Sequence, residues 1–304
     1  MRDVVVKAKA KMGKIPNNDL YFKLASLDDF DKKVDILEKA YPSINYSRNK
    51  VNIEANNFKR RLAELKSIDY FLTGLESDFF NLYFSKYEIL FLQEIIESLV
   101  NNNFSKNFLS FKANPLSENF ILENNMDLES FIKANQNSKY YRTLLPFLNR
   151  NMQGENLIFL SSNALMKFYY RSLLKLSKKF PAKEQKLVRN FLGEEINISN
   201  FEMLYRLKTY YDLKDSDVFN YLIPGGNSFN GERLKDLSLL SRDEFLKKME
   251  SGKYKRIFAN SDYIHKESKK YSLKLYKSEI TKEESDILYV ISAMNIIFIS
   301  GENI

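Results

Sequence analysis

Apolar positions along the chain recur at helical spacing rather than in strand alternation. Leu92, Ile95, Ile96 and Leu99 occupy i, i+3, i+4 and i+7, one face of a 3.6-residue turn. Phe201, Leu204 and Tyr205 repeat the stripe with Lys208 in the fourth place, and Ile287, Val290, Ile291 and Met294 repeat it again. A polar residue stands four positions before each stripe: Glu88, Asn197 and Glu283. A second pattern joins a polar helix start to a Phe and a later Tyr. It reads Leu27-Asp28-Asp29-Phe30 with Tyr41, then Leu128-Glu129-Ser130-Phe131-Ile132 with Tyr140, then Ser241-Arg242-Asp243-Glu244-Phe245-Leu246 with Tyr254. The two patterns alternate strictly, three times over, which predicts three related helical units of about 100 residues, each a small bundle burying its own stripe.

The predicted units are 1–112, 113–215 and a shortened third, 216–304. Segments 101–127, Asn-rich with Pro115, and 212–230, with Pro224, Gly225 and Gly226, read as the linkers between them. Ser26 with Asp29 and Ser241 with Glu244 fit a capping box. A long amphipathic helix from about Leu157 should stop before Pro181 and restart at Ala182.

Composition supports an all-α reading. The 304 residues include 9 Gly and 6 Pro, roughly 5% together where about 12% is ordinary, too few for a turn-rich strand fold. There is no Cys and one His, which removes thiolate chemistry, disulfides and any site built on two imidazoles. The net charge of +8 favours acidic or anionic partners. The longest apolar run, 287–299, is too short to span a bilayer, and the start lacks the apolar core of a signal peptide; a cytosolic chain is expected.

Candidate chemistry is thin. No G-x-x-x-x-G-K-[ST] exists, and Ile223-Pro224-Gly225-Gly226 reads as a turn in which Pro fixes φ and Gly accepts a positive φ. The acidic pairs Asp28/Asp29, Glu194/Glu195 and Glu283/Glu284 could suggest acid–base work. Neighbours on a helix point about 100° apart and cannot converge, so a helix-capping role is expected for each. His265, among Lys266, Lys269 and Lys270, reads as exposed. Two basic strips, Lys167, Arg171, Lys175 and Lys179, and Lys266, Lys270, Lys274 and Lys277, are either solvated faces or contact surfaces. In 195–208, Asn197, Asn200, Tyr205 and Lys208 sit beside the apolar stripe, where such groups tie a helix to a loop.

These residues carry a family resemblance. Glu195, Asn200, Phe201, Leu204, Arg206 and Lys208, then Ile223-Pro224-Gly225-Gly226, then Phe245 with Tyr254, resemble the C subunit of archaeal and bacterial V-type ATPases. The same family includes the d subunit of the eukaryotic vacuolar enzyme. Val6-Lys7-Ala8-Lys9-Ala10-Lys11 is similar to the family's opening helix, with Lys9 where Arg is usual, and Tyr21, Leu24 and Tyr41 follow in order. Asn197 stands where Asp is common and Asp286 where Asn is common.

The resemblance implies three pseudo-threefold-related helical bundles forming a funnel. It implies a non-catalytic rotor component without cofactors or metals, coupling the central stalk of the ATPase to the membrane proteolipid ring in proton or sodium ion transport. Such a protein is cytoplasmic and peripheral to the membrane. On this reading Arg206, Lys208 and the turn Pro224, Gly225, Gly226 shape the polar mouth of the funnel, Asn200 is a further interface or structural candidate, and Lys167, Arg171 and Lys175 are candidates for contact with stalk or ring. The alternative from the residues alone is a basic, all-helical nucleic-acid-binding adaptor, which would bind polynucleotide with steep salt dependence; the coupler reading expects no nucleic acid.

Overall fold

The computed structural model describes residues 1–15, 18–40, 50–148, 154–211, 213–259 and 263–302. Among them every regular element is helical, as the stripes and the scarcity of Gly and Pro predict. The chain divides into two compact units, Met1–Leu165 with Ala293–Ile304, and Met166–Ser292.

The first unit contains α1 (Arg2–Met12), α2 (Asn18–Ala25), α3 (Phe30–Ala40), α4 (Lys50–Asp69), α5 (Gly74–Phe84), α6 (Lys86–Val100), α7 (Phe104–Ala113), α8 (Leu128–Ala134), α9 (Tyr141–Leu144) and the start of α10 (Glu155–Ser177). Its centre is α6. The stripe Leu92, Ile95, Ile96 and Leu99 is buried with Ile89 and Phe91, each side chain contributing about 1.5–3 kcal/mol by leaving water. Residues from Ala293 onward join this unit: Phe298 stacks on Tyr87 at 4.3 Å, and the Asn295 amide donates to the Tyr83 hydroxyl at 3.1 Å.

The second unit contains the rest of α10, α11 (Ala182–Tyr210), α12 (Asp215–Val218), α13 (Gly231–Leu239), α14 (Arg242–Met249), α15 (Lys255–Phe258), α16 (Ile264–Lys282) and the start of α17 (Asp286–Glu302). The break at Pro181 falls where expected. The 29-residue α11 is buried over most of its second half, from Phe191 to Leu207, and α14 and α16 pack along it.

Several local expectations change. Segment 101–127 is not a bare linker: it holds α7 and a short 3-10 turn, Pro115–Asn119. Phe104, Phe111 and Phe120 give its polar sequence an apolar face to bury. Ser241 and Glu244 form the capping box, but Ser26 does not; its hydroxyl donates to the Lys23 carbonyl. Asp29 opens α3 instead, its carboxylate accepting from the backbone N–H groups of Asp31 and Lys32. Phe30 is 42% exposed, whereas Phe131 and Phe245 are 1% and 0% exposed, so the first copy of the aromatic pattern packs through Val34 and Leu37 instead. Its Tyr41 lies outside the described residues.

Candidate functional site

The densest set of buried polar groups lies on α11 and the loop that runs along it. Asn200 is fully buried and acts as a splint for the loop. Its amide donates to the Ile223 carbonyl at 2.8 Å, and its carbonyl oxygen accepts from the Ile223 N–H at 2.7 Å. Both main-chain polar groups of a buried loop residue are satisfied by one side chain, which a loop without regular pairing requires.

The next residues explain the Pro-Gly-Gly. Pro224 is exposed. Gly225 has φ +109°, and a Cβ there would lie 2.6 Å from Leu174 Cδ1. Gly226 is buried, and its Cβ would fall 2.2 Å from Asn197 Oδ1 and 2.7 Å from the Phe229 carbonyl oxygen. The first glycine is needed for conformation and the second for close approach to the helix. Beyond them Asn227 donates its amide to the Asn190 carbonyl at 2.5 Å and to Glu194 at 3.3 Å. No phosphate cradle is formed; the loop faces a helix flank.

Glu194 and Glu195 are not capping carboxylates. They sit in the middle of α11, and their roughly 100° divergence aims them at different partners. Glu194 accepts from the Tyr254 hydroxyl at 3.0 Å and pairs with Lys253 at 2.7 Å. Glu195 accepts from the Tyr276 hydroxyl at 2.9 Å. Tyr254 also accepts from the Asn197 amide at 3.0 Å; burial, reinforced by the Glu194 charge, pushes its phenol up to about 12. Of the other acidic pairs, Asp29 does cap a helix, while Glu283 terminates α16 in the left-handed conformation.

The same arrangement exists in the first unit, and the sequence patterns alone did not reveal it. Glu88 at the start of α6 accepts from the Tyr140 hydroxyl at 2.6 Å, pairs with Lys139 at 2.6 Å and accepts from the Asn119 amide at 3.0 Å. Each unit therefore has a glutamate on its stripe helix that receives an Asn amide, a Lys and the Tyr of the following aromatic pattern. The available signal was the dipeptide Lys-Tyr, nine residues after the pattern's Phe at both Tyr140 and Tyr254. In both units the aromatic pattern docks onto the stripe that precedes it in sequence.

The remaining candidates are dispersed. Lys208 is half-buried and donates to the Ser238 carbonyl at 2.8 Å and to the Leu240 carbonyl, capping the end of α13 with a cation. Arg206 is exposed on the other side of α11. Lys167 is drawn to the Asn220 carbonyl, and burial, followed by repulsion from Arg171, lowers its ammonium to about 8. Arg171 and Lys175 are exposed.

His265 is exposed and its Nδ1 lies 3.4 Å from Glu202 Oε1. That hydrogen bond holds the imidazole above the ordinary value of 6.5, against partial burial and the charges of Lys269 and Arg206. A raised folded pKa stabilises the fold fully below the unfolded value, and the contribution fades as pH rises through the folded pKa. As the protein's one histidine, it gives a single set of imidazole resonances. An NMR titration should show a midpoint above 6.5, and Glu202→Gln should move it down. An unchanged midpoint would show that the pair does not form in solution.

The arrangement ties loops and helices together; among the described residues no group of three or more His, Asp or Glu could hold a metal ion, and no helix is long and apolar enough to cross a membrane. Comparison with known proteins supplies the family. The family model for the ATP synthase (C/AC39) subunit matches residues 4–295. The chain is similar to the C subunit of the A-type ATP synthase of Archaeoglobus fulgidus, 32% identical over 41% of this chain and 34% of that protein. The protein of the same name from Methanosarcina acetivorans is 27% identical over 54% of this chain and 40% of its own length. That of Methanococcoides burtonii is 27% identical over 69% of this chain and 51% of its own. The chain thus matches no more than about half the length of these curated relatives. With the match running through both compact units, the chain belongs to the ATP synthase (C/AC39) subunit family.

Proposed function

We propose that this chain is a non-catalytic rotor component of an A/V-type ATPase, coupling the central stalk to the membrane proteolipid ring and so supporting ATP-linked proton or sodium ion movement. The observation that carries the reading is the family match over 4–295. The side-chain chemistry agrees with it: the best-placed polar groups, Asn200, Glu194, Glu195, Tyr254 and Lys208, are engaged in holding loops and neighbouring helices to α11. A coupler needs stiffness, and close-packed helices with loops tied to them by buried hydrogen bonds provide it.

On this reading the body is three related bundles, 1–112, 113–215 and 216–304, arranged as a funnel with pseudo-threefold symmetry. The matching Asn–Lys–Tyr sets on Glu88 and Glu194 support relatedness between parts of the chain. The protein works at the cytoplasmic side, peripheral to the membrane. Arg206 and the Pro224–Gly226 turn border the funnel mouth, and Arg171 and Lys175 meet stalk or ring. Lys167 serves that surface from beneath by fixing the Asn220 carbonyl.

The deciding experiment is affinity purification of the tagged, full-length chain from detergent-solubilised membranes of its own host. Central-stalk proteins and proteolipid should co-purify, and Arg171→Glu with Lys175→Glu should reduce both recovery and ATP-driven ion uptake. Purification of the chain alone or with polynucleotide would overturn the proposal, and unchanged recovery and uptake in the double variant would remove the assigned contact.

A further inference from the structure

We propose that the end of α10 and the start of α11 form an electrostatic docking surface for the headgroups of anionic phospholipids. Four cations precede Pro181, Arg171, Lys175, Lys178 and Lys179, and three follow it, Lys183, Lys186 and Arg189. All seven are exposed, and none has a carboxylate partner among the described residues. The stretch contains a single carboxylate, Glu184, which receives the Ser285 hydroxyl. Most of the chain's net charge of +8 is therefore concentrated in two helix ends joined by a short turn, anchored beneath by Leu173, Phe180 and Val188.

Local helix energetics do not account for this cluster. Cations at the end of α10 suit its negative dipole end, but Lys183 stands in the first turn of α11, where a positive charge is disfavoured. Arg171 with Lys175, at i, i+4 on α10, and Lys183 with Lys186, at i, i+3 on α11, are like charges, which repel. The fold holds these charges together against their repulsion, and an anionic surface relieves it.

The character of the patch selects the partner. Among the described residues no large apolar side chain from 155 to 209 is exposed, so the patch lacks the aromatic or aliphatic anchor on which specific protein interfaces rely, and it offers no ring for base stacking. Five of the seven cations are lysines, mobile point charges without the fixed fork that arginine presents to single carboxylates or phosphates. Such a surface suits a plane of headgroups, where each Lys or Arg contributes additively. The inference goes beyond the rotor reading: Arg171 and Lys175 belong to the stalk or ring contact proposed above, and the lipid surface is carried by the other five cations, Lys178, Lys179, Lys183, Lys186 and Arg189.

The test is flotation of the purified full-length chain with phosphatidylcholine vesicles and with mixed phosphatidylserine–phosphatidylcholine vesicles. Binding is expected to the mixed vesicles alone, weakening with salt. Lys178→Glu, Lys179→Glu, Lys183→Glu and Lys186→Glu together should weaken it by at least about 100-fold. A control reversing Lys247, Lys248, Lys255 and Arg256, also exposed, should weaken it by less than about tenfold. The four Lys→Gln replacements, judged by circular dichroism, serve if the reversed variant does not fold. No binding by the parent chain, equal loss in the control, undiminished binding by the folded variants, or preference for duplex DNA through the same lysines would each overturn the proposal. Failure here would leave co-purification with stalk and ring untouched.

Discussion

Replacing Phe201 with alanine is expected to destabilise the second unit by about 3–5 kcal/mol. Phe201 is fully buried, and its ring meets Tyr254 at 4.7 Å, Phe229 at 5.2 Å and Phe258 at 6.0 Å, all edge-on. Truncation removes the transfer term for the ring and leaves a hole between α11, α15 and the loop after Gly226. Those elements meet through aromatic edges and cannot collapse without separating Tyr254 from Glu194. Hydrogen exchange is the suitable measurement, since two compact units need not unfold together. Protection should fall in α11, α14 and α15 while α5 and α6 of the first unit keep theirs. Phe201→Leu, which refills most of the volume, should cost roughly a third as much. A Phe201→Ala cost below about 1 kcal/mol would mean that the ring cluster is not the keystone of the unit.

Asn200→Ala is the second large effect, about 2–4 kcal/mol. The side chain supplies both a donor and an acceptor to Ile223, which is itself buried. Alanine leaves a main-chain N–H and C=O without partners where water enters poorly, so the cost is that of two orphaned groups rather than of two ordinary hydrogen bonds. Asn200→Asp keeps the acceptor for the Ile223 N–H but sets an oxygen against the Ile223 carbonyl. At neutral pH it should be at least as damaging as alanine. Urea unfolding followed by far-UV circular dichroism would measure both, and a midpoint for Asn200→Asp equal to that of the parent would refute the bidentate arrangement. If loop detachment is the cause, exchange should rise first at 222–227 in each variant.

These residues show how far the sequence can be read. Asn200 stood beside an apolar stripe on a helix, and the role expected of a buried Asn there, tying helix to loop, is the one it performs. Its partner was not legible, because Ile223 contributes main-chain atoms, which carry no sequence signature. The capping box at Ser241 was legible because it is local; the apparent one at Ser26 failed because α3 begins only at Phe30, where Asp29 takes the cap, while the Ser26 hydroxyl closes the end of α2 on the Lys23 carbonyl. The capping role expected of Glu194 and Glu195 is not the one they play, since their carboxylates sit mid-helix and take their meaning from Tyr254 and Tyr276, about 60 and 80 residues away along the chain.

What the sequence determined by itself was the helical class, the stripes that enter the core and the break at Pro181. Each of these follows from spacing within a few turns of chain, where backbone geometry fixes which side chains share a face. Only the tertiary structure decided that both described aromatic patterns dock backwards onto the preceding stripe, and that one glutamate in each unit gathers an Asn, a Lys and a Tyr. It alone made Lys208 a helix cap and left the cations around Pro181 without a carboxylate partner among the described residues. Those outcomes depend on which distant groups meet when apolar faces close, and a charge or hydroxyl acquires its partner only then.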